Sequence, residues 1–139
     1  MPDYWIKALG MGAREQRLPD HWAQIDNGLF HRELTSAARP GMRTGDGIVY
    51  YASGAGVIFA VGKITSFPFR SEDPEHRGWP WRAKVKLSHW REFIHDGVPL
   101  EALNVEERDL RQSIKRRSHI RLSEAEYNEA VRLLSQPSD

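Results

Sequence analysis

Two apolar runs joined by a four-residue glycine turn constrain this chain more than any other feature. Ile48-Val49-Tyr50-Tyr51-Ala52 is built from β-branched and aromatic residues, and Val57 to Thr65 is apolar almost throughout. Such side chains suit a pleated, packed surface. Between the runs, Ser53-Gly54-Ala55-Gly56 supplies the backbone freedom that a tight reversal needs. The pair reads as a hairpin whose second strand is covered on both faces.

The remaining segments supply the cover. Tyr4 to Leu9 reads as a short strand, broken by Gly10 and Gly12. Asp20, after Pro19, is placed to cap a helix whose stripe is Trp22, Ile25 and Leu29, with Gly28 as its stop. A short helical turn is expected over His31 to Ala38, ended by Arg39-Pro40-Gly41. From Trp81 to Ser88 the pattern alternates. Trp81, Ala83, Val85 and Leu87 point one way, and Arg82, Lys84, Lys86 and Ser88 the other, which predicts a half-buried strand with a basic outer face. Glu101 to Ser113 has helical composition, anchored by Leu103, Leu110 and Ile114. The last helix is the best marked. Ser123 and Glu126 form a capping box, and Leu122 and Tyr127 sit where a hydrophobic staple would. Tyr127, Ala130, Val131 and Leu134 make its buried stripe. The order predicts an α+β fold, a partly open barrel with helices packed outside it.

The 139 residues suit one domain over 1–139. With no cysteine there is no thiol catalysis, disulfide or zinc–thiolate site. No apolar run reaches the ~20 residues of a membrane span, and no signal-peptide pattern opens the chain, so a cytoplasmic location is expected. A formal net charge of +1 is too small for indiscriminate coating of nucleic acid, so any such contact needs local clustering. One cluster exists. Arg111, Lys115, Arg116, Arg117, His119 and Arg121 fall between Leu110 and Leu122 with no acid among them. The six histidines include no His-Glu-x-x-His pair, and there is no Gly-x-Ser-x-Gly or phosphate loop. No enzyme, metal or cofactor is therefore expected.

Several segments together resemble the EVE domain, a branch of the PUA-like superfamily that also holds YTH, ASCH and SRA domains. They are Tyr4-Trp5-Ile6, Gly45-Asp46 followed by Ile48-Val49-Tyr50-Tyr51, Pro80-Trp81-Arg82, and Ser118 through Tyr127. The likeness is strongest to small stand-alone bacterial and archaeal members. It implies a PUA-like mixed barrel of about five or six strands and a pocket that accepts one base, a modified one, between aromatic walls. The commonest EVE opening continues Lys-Ser-Glu-Pro, whereas here Lys7 is followed by Ala8-Leu9-Gly10. The polar groups that would read a base edge are missing at that point.

A bound base needs aromatic faces, edge donors and acceptors, and cations for the flanking phosphates. The expected walls are Trp5, Phe30, Trp79 and Trp81, with Ser53 near the base edge. Lys7, Arg82, Lys84, Arg116 and Arg117 are the expected backbone contacts. The partner is RNA or modified DNA, not a membrane. Each aromatic has a plain rival role in the core, and each cation one on solvated surface. Two alternative functions remain: a nucleoside-sensing or protein-interaction module, and an ASCH-type nucleoside amidohydrolase working through Lys7.

Overall fold

The computed structural model describes residues 2–9, 18–36, 39–73, 80–106, 108–115 and 119–137. Its frame is one mixed sheet in the order β2-β6-β4-β3-β1-β8. The strands are β1 (Tyr4–Leu9), β2 (Glu33–Ser36), β3 (Gly47–Ala52), β4 (Val57–Ile64), β6 (Trp81–Trp90) and β8 (His119–Leu122). Two-residue strands β5 (Phe69–Arg70) and β7 (Val98–Pro99) flank β6 and β4. β1 lies parallel to β3, and the other pairs are antiparallel. The expected hairpin is β3–β4, with Gly54 and Gly56 both at positive φ in its turn. A register shift at Tyr50/Tyr51 leaves Phe59 as an extra residue on β4, so Phe59 and Ala60 both reach the same side. Such a bulge bends and twists the strand.

The sheet is strongly curled, and its two faces carry two clusters. The inner cluster joins Leu9 of β1 to Leu34 of β2 through Ile48, Tyr50, Phe59 and Val85. Residues four strands apart in this order share one cluster only if the sheet curls around them. Trp22 and Phe30 plug this interior. The outer cluster packs Ile6, Val49 and Ile58 under α2 (Leu110–Lys115) and α3 (Glu124–Ser135). This is the α+β, PUA-like half-barrel that the sequence predicts. α3 begins with the full capping box at Ser123 and Glu126, and its staple residues Leu122 and Tyr127 are both buried. Among the described residues, no helix is long and apolar enough to cross a membrane.

Four local expectations are corrected. The segment after Asp20 is a 3-10 turn, Trp22–Asn27, whose capping residue is His21. Asp20 instead accepts the backbone N–H of His95 at 2.8 Å and contacts its ring at 2.7 Å. The second short helix is only α1 (Leu29–Arg32), because Glu33–Ser36 is recruited as strand β2 by the open edge of β6. Glu101 to Ser113 is not one helix. A 3-10 turn over Leu100–Leu103 is followed by α2, whose Gln112 N–H is capped by the Asp109 side chain at 3.0 Å. Leu103, Leu110 and Ile114 remain its buried anchors. Finally, the outer face of β6 is not uniformly solvated. Lys84 and Lys86 are exposed, but Arg82 is buried and paired with Glu33 at 3.2 Å.

Candidate functional site

β1 alternates sides, sending Ile6 and Ala8 outward and Trp5, Lys7 and Leu9 inward. Its neighbours share that register: Trp5 lies beside Ile48 and Arg121, and Lys7 beside Tyr50 and His119. One inner stretch therefore carries an indole, a lysine, a histidine and an arginine.

The Trp5 ring is held in place from behind. Its N–H donates to Asp46 at 2.9 Å. The same buried carboxylate accepts the backbone N–H groups of Asp3 (3.0 Å) and Arg43 (2.9 Å). Three donors on one carboxylate fix its position, and through it the plane of the indole. The Arg121 guanidinium lies 5.4 Å from the Trp5 ring centre, and the His119 ring meets it edge-on at 5.6 Å. Arg121 also bonds Asp3 at 3.1 Å. Beside this anchor an open cavity of about 370 Å3 is lined by Pro2, Asp3, Arg43, Thr44, Gly45 and Asp46.

A second indole faces the same interior. Trp81 opens β6, pairs with the buried Ser36, and alternates in phase with Ala83 and Val85 of the inner cluster. The Arg39 guanidinium sits 5.6 Å from its ring centre. Gly41, two residues after Arg39, would carry a Cβ 3.7 Å from the Trp5 ring. Two residues span at most roughly 7 Å, so one short segment touches both indoles.

The EVE domain family model matches residues 4–133. The chain belongs to the EVE domain family. Solved structures share the fold. A hypothetical protein from Leishmania major matches with a TM-score of 0.60 at 15% identity, over 97% of this chain and 96% of its own. A protein from Agrobacterium tumefaciens matches at 0.52 and 18% identity, over 99% and 97%. One from Rhodopseudomonas palustris matches at 0.50 and 16%, over 96% and 93%. At such identities the likeness speaks for the fold alone. No curated protein matches the sequence.

Within this EVE domain the residues singled out from the sequence scatter. Trp5 and Trp81 share the inner face. Phe30 is buried in the plug, its carbonyl accepting the Tyr50 hydroxyl at 2.8 Å. Ser53 follows the far end of β3, away from Trp5, and its N–H donates to Leu9 at 3.1 Å. Lys7 is only 4% exposed, so it lies beneath the surface instead of on the rim. Arg82 is held by Glu33, while Lys84 is exposed on the outer face. Trp79, Arg116 and Arg117 lie outside the described residues. Sequence reading missed Asp46, Ser36 and Arg39. A signal for Asp46 existed, since a packed indole N–H needs an acceptor and Asp46 directly precedes a strand. Choosing it required knowing that β1 runs parallel to β3.

Proposed function

We propose that this EVE domain binds nucleic acid by accepting one base, in modified form, against Trp5 and Trp81. The observation that carries the reading is the Trp5 indole. It is oriented by Asp46 from behind, packs half-buried against the inner cluster, and carries a guanidinium over its ring. A guanidinium is flat and cationic, and where it lies on an indole a nucleobase fits as well. Arg121 and Arg39 then have flanking phosphates as their alternative partners. The half-barrel and the family membership support a binding role in preference to catalysis, and a cytoplasmic setting agrees with it.

Base–aromatic stacking contributes roughly 1–3 kcal/mol per base. Trp5→Ala and Trp81→Ala should each weaken binding to a responsive oligonucleotide by about ten- to a hundredfold. The measurement is tryptophan-fluorescence titration against oligonucleotides carrying a panel of altered bases. Wild-type affinity in both variants would remove the site. Free nucleosides and a salt series separate the rival reading. Tight, salt-insensitive binding of nucleosides means metabolite sensing, whereas oligonucleotide binding that weakens steeply with salt means phosphate contact.

A further inference from the structure

Four charged side chains are buried among the described residues: Lys7, Asp46, Arg82 and Glu126. Three of them are compensated. Asp46 accepts three N–H groups, Glu126 meets Arg108, and Arg82 meets Glu33 through Nη1, although its Nε–H is left without a partner among the described residues. Lys7 differs. Its ammonium donates to the carbonyl of its own neighbour, Ala8, at 2.9 Å, and no carboxylate pairs with it among the described residues. An ammonium has three donors, so two remain for something else. A buried charge without a counter-group is costly, and an apolar side chain of similar volume would avoid that cost.

Lys7 also stands in the right place. It is two residues along β1 from Trp5, on the same inner face. That spacing is about 7 Å in a strand, within reach of the edge of a base stacked near the indole. Resting on the function proposed above, we infer that Lys7 determines specificity. Its ammonium selects a base whose inner edge carries an oxygen acceptor, a carbonyl or a carboxylate, over the same base bearing an amino or methyl group there. The counter-group that the described residues lack arrives with the ligand.

The surroundings agree. Burial lowers the Lys7 amine from its ordinary 10.5 to about 8, so it is a cation at neutral pH and mostly neutral by pH 9.5. The titratable groups facing it are Tyr50 across β3 and His119 across β8, with Arg121 and Asp46 one step further along. Burial raises the Tyr50 phenol, so it keeps its proton throughout that interval.

The test uses short single-stranded oligonucleotides in two pairs, read by fluorescence anisotropy at pH 7. One pair compares a central 5-carboxylcytosine with 5-methylcytosine, the other hypoxanthine with adenine. The oxygen-bearing member should bind on the order of ten- to a hundredfold tighter, as expected for a charge-assisted hydrogen bond. Lys7→Met should abolish the preference, and so should raising the wild type to pH 9.5 in the carboxylcytosine pair. Lys7→Met should melt no lower than wild type at pH 7. A preference in either pair that depends on Lys7 supports the inference. Equal binding within both pairs overturns it and leaves base binding standing. A preference that survives Lys7→Met, or one unchanged at pH 9.5, overturns it too. Binding to none of the four oligonucleotides overturns both readings.

Discussion

Arg108→Met should destabilise the fold far more than loss of an ordinary surface pair. Glu126 is the third residue of α3, and its side chain is 1% exposed. One of its oxygens accepts the Ser123 N–H at 2.8 Å and Arg108 Nη2 at 2.7 Å; the other accepts Arg108 Nε at 2.9 Å. Arg108 Nη2 also reaches the carbonyl of Arg121 on β8 at 2.6 Å. The two partners bear unequal desolvation, because the Arg108 side chain is 43% exposed. Removing it strands a fully buried carboxylate on a single N–H. Breaking a buried pair costs about 3–5 kcal/mol. Water can replace part of an exposed guanidinium, so about 3 kcal/mol is expected, or roughly a 10 °C fall in Tm for a chain of this length. Glu126→Gln keeps the cap acceptor but turns an amide N–H towards Arg108 Nε, for a loss of about 2 kcal/mol. The double variant leaves neither charge buried, so its cost should fall at least ~2 kcal/mol below the sum of the singles. Urea unfolding followed by tryptophan fluorescence gives all three values. A cost below ~1 kcal/mol for Arg108→Met, or simple additivity, would mean that the pair is screened like an exposed one and that the reasoning is wrong.

Two further outcomes follow from buried groups. Because the folded state lowers the Lys7 amine to about 8, the unfolded chain binds more protons between there and 10.5. Stability should therefore rise with pH across that window, by about 3 kcal/mol from this residue. Burial raises the Tyr50 phenol and pushes the Tyr127 phenol up to about 12, which works the other way above pH 10. The effect is therefore read as the difference between wild type and Lys7→Met in urea titrations at pH 7, 8.5 and 9.5. A pH-independent difference would show the amine to be solvated. Gly62→Ala should be far worse than Gly45→Ala. A Cβ at Gly62 would collide with the Lys86 carbonyl and fall 2.7 Å from the Leu87 Cα, both backbone atoms of β6, whereas at Gly45 it meets open space. Gly45 sits at φ +96, so alanine there costs only backbone strain of about 1 kcal/mol. Gly62→Ala should cost about 3 kcal/mol or more by prising β4 from β6. Similar thermal melts for the two variants would contradict the close approach.

Elements whose causes are local were legible in the sequence. The β3–β4 hairpin announces itself by β-branched and aromatic runs around a glycine turn. α3 announces itself by a cap, a staple and a stripe, all within twelve residues of one another. Glu33–Ser36 could not be read as a strand, because nothing in four residues outweighs the open edge of β6 that recruits them. The site divides along the same line. Alternation alone puts Trp81 on the face of Ala83 and Val85, but the role of each cation depends on a residue distant in sequence. Arg82 meets Glu33, 49 positions away, and is held as structure. Arg121 meets Asp3, 118 positions away, and lies over Trp5 as well. Lys7 has neither kind of partner among the described residues. A basic residue on a strand is therefore ambiguous until its counter-charge is located. Lys7 is the buried cation left without one among the described residues, next to an indole fixed at its far edge, which is why its remaining donors are the ones proposed to meet a ligand.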